Sequence, residues 1–369
     1  MKPTSSFDFS DSYRGRRVLV TGHTGFKGAW LSAWLDLLGA EVTGISLPAC
    51  TEPNLFNASG LHTPITSLFV DIREYNQLRA AIAETQPQIV LHLAAQSLVR
   101  RSYADPLETF QTNVIGSANL MQACRDVGGV QAIVCVTTDK VYLNREWQWP
   151  YRENDVLGGL DPYSASKACA ELIAYVYQHN LYQGPGYPKM ATARGGNVVG
   201  GGDWSADRIV PDIVRALVSG QPIELRNPDA IRPWQHVLEL CEGYLELGAR
   251  LAEGHEGLDE PWNFGPRASN EVTVDTLVRE TLDVWGKPDW PLKVHASALH
   301  EAQLLRLDIS KSLARMTWQP RLNIEQTLRW TAEWYRGFYN GQPALELIRR
   351  QISAFQELRA SALTPMPAN

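Results

Sequence analysis

Short apolar runs separated by longer amphipathic ones set the rhythm of the first half of the chain. RVLVTG (17–22), EVTGIS (41–46), TSLFVDI (66–72), QIVLHLA (88–94) and QAIVCVT (131–137) are β-branched and short, which predicts strands. After the first of them Phe26, Trp30, Leu31, Trp34, Leu35 and Leu38 recur at helix spacing, and Gly39 supplies a stop. Strands apolar on both faces and joined by helices imply a parallel sheet with right-handed crossovers. The expected fold is therefore α/β, a Rossmann-type doubly wound parallel sheet. KMATARGGNVVGGGDW (189–204) breaks the rhythm, with five glycines in the eight positions from Gly195 to Gly202. Beyond it the pattern is helical and loop-rich, so a smaller, mostly helical domain is expected. The division predicted is residues 14–193 for the first domain, with returns near 236–265 through pieces such as EPWNFGP (260–266), and 194–355 for the second. The tail after Leu358 is small and Pro-containing, which predicts a loose end.

Composition narrows the class. The chain of 369 residues is 44% hydrophobic and 20% charged, the balance of a globular protein with a substantial core. A net charge of -6 argues against nucleic acid as a partner, which needs a basic surface. The polar start, MKPTSSFDFSDSYRG, has no apolar secretory core, and no run approaches the roughly 18–20 apolar residues of a membrane span. Cys50, Cys124, Cys135, Cys169 and Cys241 are scattered, three of them within apolar runs, and no H-E-x-x-H is present. A reduced, cytoplasmic protein without a metal is expected.

TGHTGFKG (21–28) joins the first strand to the first helix. Gly22, Gly25 and Gly28 let the backbone approach a pyrophosphate, and the helix N-terminus attracts the anion. Thr24, Phe26 and Lys27 fill the same turn, and Lys27 adds a local positive charge. A dinucleotide there calls for contacts at the carboxyl ends of later strands: Asp71 and Ile72, then Leu93, Ala94, Ala95 and Gln96, then Thr137. Strand two ends in Ser46-Leu47-Pro48-Ala49, with neither an acid for the ribose hydroxyls nor an arginine for a 2′-phosphate. That strand leaves NAD and NADP open.

DPYSASKACAEL places Tyr163 and Lys167 four apart on one face of a helix. A lysine beside a phenol favours phenolate, lowering its pKa from about 10 toward working pH. The pair is then a base for a sugar hydroxyl whose carbon loses hydride.

With TGHTGFKG and Y-x-x-x-K, the chain resembles the extended short-chain dehydrogenases/reductases. HLAAQSLVRRSY, TTDKVYLNREWQWPYREND, GGNVVGGGDW, RNPDAIRPWQHV and WNFGP narrow the likeness, from about Arg16 to about Trp330, to the nucleotide-sugar 4,6-dehydratases acting on CDP-glucose. The resemblance implies NAD as cofactor, a CDP-sugar substrate, a lyase reaction and a role in deoxysugar biosynthesis such as that of lipopolysaccharide O-antigen. Tyr163, with Lys167, would deprotonate the 4-hydroxyl as the C4 hydride leaves. Water would then be lost across C5–C6, and the hydride would return to C6. In the wider group an Asp-Glu pair performs the elimination; here Asp139 would be the acid and Lys140 would stand where the C5 base is expected. Thr138 would hold the 4-oxygen. Lysine is a base only when neutral, and both groups serve one substrate only if the strand has ended and the chain is turning.

Arg208 and Arg232 suit a diphosphate by chemistry and by resemblance. Resemblance adds Asn197 on the substrate side; Gln96 is expected there too, and Trp204 or Trp234 suits a surface for the base. It also implies a homodimer formed through helices near 107–126 and 164–180. Two other readings stay open: a 4-epimerase of the same fold, which needs no Asp139-Lys140 pair, and a silent dinucleotide-binding regulator, which needs neither Tyr163 nor Lys167.

Overall fold

AIVCV (132–136) is buried at every position, and such a run can only be a strand covered on both faces. The structure, a computed structural model, describes residues 7–225, 227–294 and 304–363. Seven strands form its sheet: β1 (Arg17–Thr21), β2 (Glu41–Ser46), β3 (Thr66–Phe69), β4 (Ile89–His92), β5 (Ala132–Val136), β6 (Lys189–Gly195) and β7 (Pro261–Phe264). Their order is β7-β6-β5-β4-β1-β2-β3, and every pairing is parallel. The order reverses between β1 and β4, where Thr21 pairs with His92. Parallel sheets bind ligands beyond the carboxyl ends of the strands at such a reversal.

Alternate side chains build two cores. Val18, Val20, Leu91, Val134 and Ala193 share one with Trp30 and Trp34 of the helix Phe26–Leu37 and with Leu240 and Leu247 of the helix Val237–Ala252. Leu19, Val90, Ile133 and Cys135 share the other with Leu78, Leu120 and Met121. Gly39, at φ +76°, ends the first helix, in the conformation where glycine carries no steric cost.

Two expectations need correction. β6 runs through Gly195 and pairs Arg194 with Asn263 of β7, so Arg194 belongs to the sheet and not to the start of a second unit. The residues beyond it are mostly helical, as expected. They also form two-stranded pairs: Val198–Val199 with Gln235–His236, Ile231–Pro233 with Glu271–Thr273, and Ile223–Leu225 with Leu292–Val294. Residues 359–363 are not loose: the last helix spans Ala344–Leu363, and buried Arg359 pairs with Asp8 and Glu242. Residue 226 and residues 295–303 of the expected second domain, and the tail beyond 363, lie outside the described residues.

Candidate active site

The glycine turn has the shape an anion needs. Gly22 takes φ +76°, and a Cβ there would lie 2.8 Å from the Ala94 nitrogen. One on Gly28 would lie 2.1 Å from the Gly22 oxygen, and one on Gly25 3.3 Å from the same atom. The turn, the helix start and the end of β4 therefore meet backbone to backbone. Gly25 caps the helix without a side-chain hydrogen bond, and the first turn carries no acid, so its N-terminal N–H groups face no negative charge of their own. This donor set fits a dinucleotide pyrophosphate.

Around the turn, Thr24 bonds Ser46 Oγ at 2.8 Å and the Leu47 carbonyl at 2.9 Å, tying the loop to the end of β2. Phe26 faces the glycine run, where a Cβ on Gly200 would lie 3.1 Å from its ring. Lys27 is brought down to about 8 by burial and by the neighbouring cations Arg208 and Lys167. Leu93 and Ala94 donate their N–H groups to Thr21 Oγ1, each at 3.1 Å, and half-buried Ala95 follows them.

β5 ends at Val136, and Asp139–Val141 forms a single 3₁₀ turn capped by Thr138. Asp139 and Lys140 therefore leave the alternation of a strand. The Thr138 hydroxyl donates to Asp139 Oδ1 at 2.9 Å and lies beside the Tyr163 phenol, whose pKa it lowers. Asp139 is buried, and burial raises its carboxyl above the usual range; its other oxygen lies against Gly196, where a Cβ would be 3.1 Å away. Half-buried Lys140 follows it in the same turn.

Tyr163 opens the helix Pro162–Val176, whose cap Asp161 accepts from Ser164 N at 2.9 Å. Its phenol is raised, not lowered as the sequence reading expects. Burial pushes it up to about 12; Asp139 adds to the rise, and the Thr138 hydrogen bond and the Arg208 charge oppose it. Lys167 instead donates to the Val136 carbonyl at 3.1 Å, and burial lowers its own pKa. Arg208 is the cation that acts on the phenol, held by Asp203 at 2.9 Å.

Other expected residues are engaged elsewhere. Gln96 points inward: its amide donates to the Leu98 carbonyl at 3.1 Å and to Thr109 at 2.9 Å, and its oxygen accepts from Leu98 N at 2.6 Å. Thr137 donates to buried Glu171. Asp71 is chelated by Arg73, and Ile72 packs against Gly116. Asn197 is half-buried, and its carbonyl accepts from Gln235 N at 3.2 Å. Arg232 stands on the short strand Ile231–Pro233 and donates to the Ile231 carbonyl. Trp204 is sealed among Trp334, Tyr335 and Phe338, and buried Trp234 joins the same core, so neither offers a face to a base.

Sequence reasoning missed Asn113. It lies in a π-helical stretch, Gln111–Ile115, a distortion that often marks function. Its side chain accepts from Gln96 N at 2.8 Å and donates to the Gln96 carbonyl at 3.0 Å and to Ser166 Oγ at 2.9 Å. Ser166 in turn donates to the Tyr163 carbonyl at 2.7 Å, which joins the end of β4 to the tyrosine helix. No local signal in QTNVIGS announces this. Among the described residues no group of three or more His, Cys, Asp or Glu side chains could hold a metal ion.

The family model described as GDP-mannose 4,6 dehydratase matches residues 19–331. A CDP-glucose 4,6-dehydratase of Salmonella typhimurium is 44% identical over 347 residues, 93% of this chain and 97% of its own length. A dTDP-glucose 4,6-dehydratase of Xanthomonas campestris is 26% identical over 356 residues, 89% of this chain and 98% of its own. Among solved structures, the dTDP-glucose 4,6-dehydratase of Streptomyces venezuelae, with NAD and TYD bound, superposes with a TM-score of 0.74 at 27% identity. That match covers 89% of this chain and 99% of the other. A UDP-glucose 4-epimerase of Thermotoga maritima, with UDP-glucose, shares the fold with a TM-score of 0.77 at 21% identity, over 88% and 99% of the two chains.

Proposed function

This chain belongs to the GDP-mannose 4,6 dehydratase family, and from that membership we infer that it converts CDP-glucose to CDP-4-keto-6-deoxyglucose with NAD as cofactor. The net change is loss of one water: C4 becomes a ketone, C6 becomes a methyl, and the cofactor ends as it began. NAD, when bound, supplies the acceptor that holds the C4 hydride until C6 needs it, and its oxidised ring brings a positive charge.

The residues of the chain divide the remaining work. Gly22, Gly25, Gly28 and the helix start hold the pyrophosphate, with Lys27 beside them. Tyr163 takes the proton of the 4-hydroxyl while Thr138 holds that oxygen. Burial keeps the phenol protonated until positive charge gathers at the site, so Arg208 contributes to the base as well as to the diphosphate. Asp139, whose pKa burial raises, gives a proton to the 6-hydroxyl as the C6–O bond breaks. Lys140 removes the C5 proton, which the 4-ketone has made acidic. Asn197 and Arg232 belong to the nucleotide-sugar side. Residues 14–195, with the returns near 236–265, carry the cofactor, and the remainder to 355 carries the nucleotide sugar.

The observation that carries this reading is the Thr138 hydroxyl, which donates to the carboxyl of Asp139 and lies beside the phenol of Tyr163, in a turn that also bears Lys140. A 4-epimerase has no use for a buried acid there, and a silent binder has no use for the tyrosine. Incubation with CDP-glucose and NAD tests it: the strong alkaline absorbance of a 4-keto sugar is expected, whereas CDP-galactose or unchanged substrate would refute it.

Leu107, Ile115, Leu172 and Tyr175 are exposed on the helical segments near 107–126 and 164–180, which supports a homodimer through those helices. Among the described residues no helix is long and apolar enough to cross a membrane. A cytoplasmic place in deoxysugar biosynthesis, such as that feeding O-antigen, fits this substrate.

A further inference from the structure

The turn carrying Thr138, Asp139 and Lys140 is gripped at both ends by one buried ion pair. On one flank Thr137 donates to Glu171 Oε1. On the other, the Tyr142 hydroxyl accepts from Arg194 Nη1 at 2.8 Å and donates to Asn263 Oδ1 at 2.7 Å. Glu171 and Arg194 meet through two bonds, at 3.0 and 2.8 Å, with each side chain only 2% exposed. Thr192 of β6 fills the second carboxylate oxygen at 2.7 Å.

Glu171 follows Tyr163 and Lys167 at successive four-residue steps, so the three share one helix face. The helix that presents the phenol is therefore tied to both flanks of the turn that presents the acid and the amine. A buried ion pair is weak evidence for stability, because desolvation cancels much of its attraction; its fixed fork geometry is what an apolar pair could not supply. Tyr163 and Lys167 sit on the helix itself, whereas Asp139 and Lys140 depend on the turn for their placement.

We propose that the Glu171–Arg194 pair, with Thr137 and Tyr142 as its arms, is a positioning device that sets Asp139 and Lys140 over the sugar and so governs loss of water separately from oxidation at C4. It rests on the dehydratase reading above.

Tyr142→Phe tests it by removing one hydroxyl while keeping the ring stacked on Tyr151, 5.1 Å away. The holoenzyme is mixed rapidly with CDP-glucose, with reduced nicotinamide followed at its own absorbance and the 4-keto product by quench. C4 oxidation is expected to stay within about twofold of wild type while turnover falls about ten- to a hundredfold, the cost of a small misplacement. Reduced cofactor is then expected to accumulate. Thr137→Val at the other arm is expected to behave alike, and decides the matter if thermal melts show Tyr142→Phe unfolded. Wild-type turnover in the folded variants, or slowing without accumulation, overturns the positioning role and leaves the dehydratase reading intact. A wild-type enzyme that makes no 4-keto product overturns both.

Discussion

Arg208 places a cation that lowers the Tyr163 phenol against the rise from burial, and this shapes what each substitution of the proposed catalytic residues is expected to do. Tyr163→Phe removes the base and should abolish oxidation, a loss of about a hundredfold or more in turnover. In Arg208→Gln the phenol loses a stabilising charge, so the rise of the oxidation rate with pH should move to higher pH, as single-turnover rates would reveal. An unmoved profile would remove Arg208 from that role. Asp139 works in the opposite sense: it donates a proton, burial raises its pKa, and elimination should fall as pH rises through that raised value. In Asp139→Asn, which has no acid to titrate, the remaining rate should lose that limb. Lys140→Ala should oxidise substrate yet stall, with reduced cofactor held on the enzyme; normal turnover would mean that another group takes the C5 proton.

At the scale of the element, the helix Val237–Ala252 carries Glu239, Glu242 and Glu246 into the core. Glu239 accepts from Arg321 N at 2.9 Å and Leu322 N at 2.7 Å, and burial pushes it from 4.5 to about 8. A carboxyl raised on folding stabilises fully below its unfolded value and loses that contribution as pH climbs through the folded one. The melting temperature should therefore decline between about pH 5 and pH 8, and Glu239→Gln, which mimics the neutral acid, should flatten that decline. An unchanged slope in the variant would assign the decline to other groups. These acids mark the limit of what the sequence disclosed. The strands of the sheet were legible because burial on both faces demands uninterrupted apolar runs, as in AIVCV, and the glycine turn because backbone approach excludes side chains. The inward Glu239, the π-helical Asn113 and the Glu171–Arg194 pair were not legible, because each is decided by a partner distant in the chain. Gln96 and Trp204 misled for the same reason: their types suit a ligand, but their neighbours had already claimed them.

For the whole molecule, the sheet brings the ends of β1, β4 and β5 to one edge, and the chain beyond β6 returns through β7 to close the other side. Exposed Leu107, Leu172 and Tyr175 offer an apolar face to the proposed homodimer. Tyr175→Glu should convert a dimer to a monomer in sedimentation, and an unchanged mass would place the interface elsewhere. The central claim is that one site oxidises C4, eliminates water and reduces C6 of the same hexose. CDP-glucose bearing deuterium at C4, turned over by the holoenzyme, measures this directly by mass and NMR of the product. The account requires that deuterium to appear in the C6 methyl group of a 4-keto sugar; deuterium still at C4 of an epimerised or unchanged hexose would contradict it.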